Sequence, residues 1–210
     1  TREYIDPVRY ISNESSGKQG YEIAIALSKL GIKTTLIAGP SSLVIPKSLN
    51  VKRITSADEM LNEVKKALPV DLAVCAAAVT DIKPAEKKKN KIKKENLKLK
   101  KMNFVQNNDI LEYVSKNNKC RPRIVAGFSA ETENLTKNSI SKMKNKHCDV
   151  IFANDISQKD IGFNSDYNKI SVIDKNGDIK IIPKNKKSFI ANKIAEILLN
   201  KLLVNDRNIN

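Results

Sequence analysis

The 210-residue sequence predicts an α/β domain with a mostly parallel sheet. Three observations carry this expectation. Short apolar runs alternate with amphipathic helical stretches, the pattern of strands joined through helices. After Asp155 the pattern changes to strict polar–apolar alternation around Asn176-Gly177, a hairpin signal. The chain is long enough for one substantial core and carries 40% hydrophobic residues, with no run long enough to span a membrane.

In chain order, the first helix is expected over 17–30, with Ile23, Ala26, Leu27 and Leu30 inward and Gly31 as its stop. Strands follow at 33–38 and 51–54. Ser56-Ala-Asp-Glu59 reads as a capping box opening a helix that turns Met60, Leu61, Val64 and Leu68 inward. A central strand at 71–76 precedes a lysine-rich stretch. Asn108 can cap a short helix carrying Ile110, Leu111 and Val114. Strands at 123–127 and 149–153 flank a helix over 134–146. A two-residue turn at Asn176-Gly177 would join strands 168–174 and 178–182, placing Ile170, Val172, Ile179 and Ile181 on one face. The last helix, over 186–204, directs Phe189, Ile190, Ile194, Ile197, Leu198 and Leu202 to the core, and residues 205–210 read as a frayed tail.

Cys75, Cys120 and Cys148 have neither zinc-ligand nor disulfide-framework spacing, which fits a reducing, cytoplasmic compartment. Cys75 and Cys148 read as small buried residues, and His147 as a surface residue at a helix end. The net charge of +15 raises the question of a polyanion partner. Much of the excess lies in 87–94 and 98–101. No recognition helix, RNA-binding aromatic motif or zinc module accompanies it, and nucleic-acid binding is disfavoured.

The stretch Asp6-Pro-Val-Arg-Tyr-Ile-Ser-Asn-Glu-Ser-Ser-Gly-Lys-Gln-Gly20 sets Arg9, Asn13, Ser15 and Ser16 ahead of a helix start, where unpaired N–H groups attract anions. An ordinary capped helix would use the same hydroxyls on its own backbone. Four further blocks follow: Ala76-Ala77-Ala78-Val79-Thr80-Asp81, Lys91-Ile92-Lys93-Lys94, Gly127-Phe128-Ser129-Ala130-Glu131-Thr132, and Ala153-Asn154-Asp155-Ile156-Ser157 with Gly162-Phe163-Asn164-Ser165-Asp166. In this order, over 1–203, they resemble bacterial phosphopantothenoylcysteine synthetase. That enzyme is usually the C-terminal half of a bifunctional coenzyme A biosynthesis protein.

The resemblance implies a Rossmann-like sheet over 1–210, with a lysine-rich lid at 82–101 and a dimerisation loop and hairpin at 154–183. Family domains start with an apolar strand ending in glycines ahead of the Thr-Arg-Glu sequence. The chain opens at Thr1, so the expectation is that this strand is missing and the chain is part of a longer one. The implied reaction joins 4′-phosphopantothenate to L-cysteine, forming a carbon–nitrogen bond at the expense of CTP with Mg2+. An acyl-cytidylate forms with loss of pyrophosphate; cysteine then displaces CMP. A homodimer is implied, with FMN only where a decarboxylase domain is attached.

Residue by residue, Asn13 matches the asparagine associated with the acyl-cytidylate, and Arg9 an arginine of the second half-reaction. Ser15, Ser16 and Gly17 complete the substrate loop. Cys75, Ala76 and Ala77 match nucleotide-binding positions at a strand end, where open α/β sheets take ligands. Asp81 matches a nucleotide-binding aspartate that would accept from ribose hydroxyls or from the cytosine amino group. Asn108, Asp109, Ile110, Leu111 and Phe128 match further contacts, with Asn108 standing where proline is usual. Lys91 matches the triphosphate-contacting lysine, and Lys142 and Lys146 match two more nucleotide-binding lysines. The residues alone leave CTP against ATP open. A nicotinamide-dependent reductase is the competing enzyme class, disfavoured because no Gly-x-Gly-x-x-Gly turn follows a strand.

Overall fold

The computed structural model describes residues 1–93, 102–117, 119–157, 161 and 165–207. The first segments are a small antiparallel hairpin, β1 (Glu3–Asp6) and β2 (Arg9–Ile11), which the sequence pattern did not announce. Then come α1 (Lys18–Lys29), β3 (Thr35–Ala38), β4 (Asn50–Arg53), α2 (Ala57–Ala67) and β5 (Leu72–Cys75). A second unannounced ribbon pairs β6 (Ile82–Pro84) with β7 (Phe104–Gln106) at the base of the lysine-rich stretch. The chain continues through α3 (Ile110–Lys116), β8 (Ile124–Glu131), α4 (Leu135–Asn145), β9 (Val150–Asp155), β10 (Tyr167–Asp174), β11 (Ile179–Lys186) and α5 (Lys187–Arg207).

The main sheet has the order β11-β10-β9-β8-β5; β5, β8 and β9 are parallel, and β10 and β11 are antiparallel additions. Alternation along its strands divides the core into two faces. Ile124, Ala126, Val150, Phe152, Ile170 and Val172 meet Ile23 and Leu27 of α1 and Ile190, Ile194 and Leu198 of α5. On the opposite face Val125 packs with Met60 and Leu61 of α2 and Ile110 and Val114 of α3, while Ile151 and Ile173 pack with Met143 of α4.

Several local expectations hold and several need correction. Ser56 caps α2 by accepting from the Glu59 amide at 3.2 Å, but Glu59 reaches back to the amide of Thr55 rather than Ser56. The cap of α3 is Asp109, not Asn108: its Oδ1 accepts from Glu112 N at 2.8 Å. The Asn176-Gly177 turn is one residue longer than expected. Ile173 lies opposite Ile179, Gly177 has φ +88°, and Asp174 closes the loop by accepting from Gly177 N at 2.9 Å. This is a three-residue hairpin with glycine in the left-handed position. A one-residue shift moves a strand's alternate side chains to the other face. Ile179 and Ile181 therefore lie exposed, apart from buried Ile170 and Val172. Phe189 and Leu30 are exposed rather than inward, and α5 stays helical through Arg207 where a frayed tail was expected.

The strands β3 and β4 form a separate parallel pair, and among the described residues β3 and β5 each keep one edge without a strand partner. A cavity of about 1340 Å³ runs between them. Leu36 and Ile37 of β3, Leu72 and Val74 of β5, Ile23 and Leu27 of α1, and Met60 and Val64 of α2 line it. Thr1 stands at one end, beside Gly39, with its amino group donating to Ala78 O at 3.3 Å.

Candidate functional site

The end of this cavity next to Thr1 is where β3 and β5 finish and where the first sequence block folds over them. Close approach is built in: a Cβ on Gly20 of α1 would stand 3.3 Å from Ala76 Cβ, so small residues at both positions let the helix start meet the strand end. Asn13 crosses to the second block, its Nδ2 donating to Val79 O at 3.1 Å. Ser12 Oγ donates to Thr1 O at 2.7 Å. The side-chain amide expected to touch an acyl group is thus exposed and anchored at the strand end, and it does not fold onto its own backbone. Ser15 and Ser16 accept from the amides of Gly17 and Lys18 at 3.2 and 3.4 Å, the helix-start role that the sequence reading set against substrate binding.

Arg9 does not line the cavity. It forms an ion pair with Asp6, a carboxylate with no exposed surface, and donates to Ile92 O at 2.9 Å. Asp6 also accepts from Val8 N and Arg9 N at 3.0 Å and from Ile92 N at 3.1 Å. The Arg9 guanidinium and these amides hold the Asp6 carboxyl far below the usual carboxylate range, against burial that would raise it. Through these contacts the segment carrying Lys91 is tied to the β1–β2 turn. Lys91 itself is exposed; of the 82–101 stretch expected as a lid, residues 94–101 lie outside the described residues.

On the nucleotide side, Cys75, Ala76, Ala77, Asp81, Asn108, Asp109, Ile110, Leu111, Phe128 and Lys142 all border the same cavity, as do Asn13, Ser15 and Gly17. Cys75 is half-buried, not fully buried, and burial of its thiol pushes it up to about 12. Ile110 is a core residue, and Leu111 and Phe128 pack against core clusters; Phe128 meets the Phe152 ring at 5.3 Å. Lys146 does not border the cavity; it pairs with Asp109 at 2.9 Å and Glu112 at 2.7 Å. Lys116 and Lys146 together hold the Glu112 carboxyl down to about 2. The expectation for His147 is met: it is exposed, with φ +51° just beyond α4. Cys148 is buried as expected, and burial pushes its thiol up to about 11.

Sequence reasoning passed over three residues that shape this region. Asp6 carries the Arg9–Ile92 contacts. Asn107, buried, donates to Thr80 O at 2.9 Å and Oγ1 at 3.2 Å, and its backbone N–H donates to Asp81 O at 2.8 Å, which fixes the loop bearing Asp81. Lys187 is buried at the start of α5, where burial and Lys18 lower its pKa. The Asp-Pro pair ahead of Arg9 was a visible turn signal for Asp6. Asn107 and Lys187 lie outside the motif blocks, and their roles come from contacts to Thr80, Asp81 and Asp166 that only the folded chain makes.

An α/β sheet with small residues and a side-chain amide at its strand ends places its open cavity where such sheets take ligands, with Lys142 the one predicted site lysine that borders it. Comparison makes it particular. The family described as DNA/pantothenate metabolism flavoprotein C-terminal domain matches residues 1–202, and the chain belongs to this family. It is 40% identical over 199 residues to the coenzyme A biosynthesis bifunctional protein CoaBC of Haemophilus influenzae, covering 94% of this chain and 49% of the relative. Against CoaBC of Borreliella burgdorferi it is 38% identical over 200 residues, covering 94% and 50%. The chain therefore spans about half the length of these relatives. A crystal structure of the C-terminal domain of CoaBC superposes with a TM-score of 0.79 at 29% identity, covering 98% of this chain and 92% of that one. A Cab2 mutant solved in complex with phosphopantothenate-cysteine shares the fold, with a TM-score of 0.77 at 14% identity over 99% of this chain and 86% of that one. Among the described residues no helix is long and apolar enough to cross a membrane.

Proposed function

We propose that this domain ligates 4′-phosphopantothenate to L-cysteine using CTP, as a cytoplasmic enzyme of coenzyme A biosynthesis. The observation that carries the reading is the Asn13–Val79 bond, which brings the substrate loop onto the strand end that offers Cys75, Ala76 and Ala77. In the first step a carboxylate oxygen of phosphopantothenate attacks the α-phosphorus of CTP; the bond to the bridging oxygen breaks and pyrophosphate leaves. In the second, the neutral amine of cysteine attacks the acyl carbon, CMP departs and the amine loses its proton.

The roles come from the family match; the residues that border the cavity have positions that suit them, while Lys91 does not line it. The Asn13 amide keeps a second N–H for the acyl-cytidylate oxygen while the first is held by Val79, adding no charge beside a reactive anhydride. The small residues at 75–77 let backbone groups approach the nucleotide, and Asp81 accepts from its ribose or base. Lys91 and Lys142 offset the charge of the triphosphate, with electrostatic preorganisation the expected main catalytic contribution. Lys146, already between two carboxylates, would have to share its charge with them. Among the described residues no cluster of His, Cys, Asp or Glu could hold a metal ion. Magnesium enters with CTP as its complex, the usual manner for nucleotide-borne magnesium. FMN belongs to a decarboxylase domain where one is attached, and no flavin step is assigned to these residues.

Pairing of two chains is part of the proposal. The outer edge of β11 has no strand partner among the described residues, and Ile179 and Ile181 beside it are exposed. Of the 154–166 loop expected to join that interface, 158–160 and 162–164 lie outside the described residues. The chemistry is tested by trapping: radiolabelled phosphopantothenate with CTP and the Asn13→Asp protein should accumulate a cytidylate adduct. If no adduct forms with that variant or with the unaltered protein, the two-step mechanism is wrong here.

A further inference from the structure

We propose that Asp6 is a positioning residue for Lys91: its buried carboxylate gathers the Arg9 guanidinium and the Ile92 amide and so fixes the backbone next to this exposed lysine, which would reach the triphosphate from outside the cavity lining.

The geometry separates this from an ordinary turn staple. Two of the Asp6 contacts, to Val8 N and Arg9 N, stay inside the β1–β2 turn and would serve the hairpin alone. One contact reaches across 86 residues, from Ile92 N to Asp6 Oδ2 at 3.1 Å, and Arg9, held on that same oxygen through Nε at 2.9 Å, donates to Ile92 O at 2.9 Å. Both backbone groups of one residue are thus engaged by one ion pair. A parallel contact, Lys88 N to Ile5 O at 2.9 Å, ties the segment to the same hairpin four residues earlier. The segment between carries Lys88, Lys89 and Lys91, like charges that repel one another, so an acidic anchor has a specific use there. Changing Asp6 removes the charge that holds the Arg9 guanidinium and weakens the acceptor for Ile92 N, so the segment should be displaced. On this view Arg9 reaches the reaction through Ile92 as well as through any direct contact with substrate.

The catalytic half of this inference rests on the ligase reading; the structural half does not, and the test separates them. Backbone amide exchange is measured for the unaltered protein and for Asp6→Asn. The Ile92 amide should exchange at least about 10-fold faster in the variant, with the β8–β9 ladder still protected. Arg9→Gln, which keeps the Asp6 contacts within the turn, is the second variant should Asp6→Asn not fold, and it too should deprotect Ile92. Pyrophosphate release is then measured for Asp6→Asn, Lys91→Gln and the double variant. Asp6→Asn should slow cytidylate formation by roughly 10–100-fold, the scale of a small displacement of a catalytic group. The double variant should be little slower than Lys91→Gln, since residues acting as one unit are not additive. Unchanged Ile92 exchange, or rate losses that simply multiply, would overturn the proposal. If the unaltered protein releases no pyrophosphate, the ligase reading fails, and the exchange comparison alone decides whether Asp6 holds the segment.

Discussion

Lys91 and Lys88 lie three residues apart in one basic stretch, yet their surroundings differ. Lys88 pairs with Glu86 and its side chain is about half exposed, whereas Lys91 adjoins the residue held by Asp6 and Arg9. Lys91→Gln should therefore slow cytidylate formation by the equivalent of about 2–4 kcal/mol, the range for a preorganised transition-state donor. Lys88→Gln should change the rate by no more than about 1 kcal/mol, as expected of an exposed pair. Pre-steady-state pyrophosphate release on both variants checks this; equal, small effects would remove Lys91 from the site. Asn13 and Ala76 stood in motifs, and both border the cavity. The role of Asp6 was not legible, because a carboxylate beside proline reads as a turn former, and its partner at Ile92 is set only by the path of the chain through β6.

Among the elements, the hairpin of β10 and β11 shows where local signals stop. Asn176-Gly177 correctly located the reversal, but Asp174 accepts from the Asn176 and Asp178 amides at 3.0 and 3.2 Å and adds one residue to the loop. That single residue sends Ile179 and Ile181 to the exposed face. The helices α1, α2 and α4 and the strands β8 and β9 were visible in their periodicity, since each buries one stripe or an apolar run; β3, β4 and β5 were read from short apolar runs that stay part-buried or exposed. The hairpin β1–β2 and the ribbon β6–β7 were not visible, because strands of three or four residues are too short to show an apolar alternation, and in β1 the buried positions are the carboxylates Glu3 and Asp6. The displaced isoleucines give the pairing proposal its test. Ile181 is 62% exposed, so Ile181→Lys should fold normally. Light scattering at micromolar concentration should give twice the 23.4 kDa chain mass for the unaltered protein and a mass near one chain for the variant. A monomer in both would count against pairing through this edge.

For the whole molecule, the sheet is divided by the slot between β3 and β5. Leu36, Ile37, Leu72 and Val74 belong to the apolar part of its wall, with polar residues such as Asn50 and Asp71 also lining it, and Thr1 stands at one end. Six apolar residues placed ahead of Thr1 would enter that slot and hydrogen-bond to both free edges. Burying several such side chains is worth about 1.5–3 kcal/mol each, and each kcal/mol shifts Tm by about 2–4 °C in a domain of this size. The extended protein should melt at least about 5 °C higher by calorimetry, and six polar residues should give no such gain; equal Tm values would mean that the slot does not accept a strand.

The central claim concerns the order of chemistry at the strand ends. The direct measurement is pyrophosphate release from the domain, including the form extended before Thr1, with CTP, phosphopantothenate and cysteine omitted in turn. Pyrophosphate should appear with CTP and phosphopantothenate alone, as a burst before cysteine is added, and should fail without either. Cysteine should then convert the burst to steady turnover with release of CMP. Pyrophosphate that appears without phosphopantothenate, or only once cysteine is present, would contradict the account.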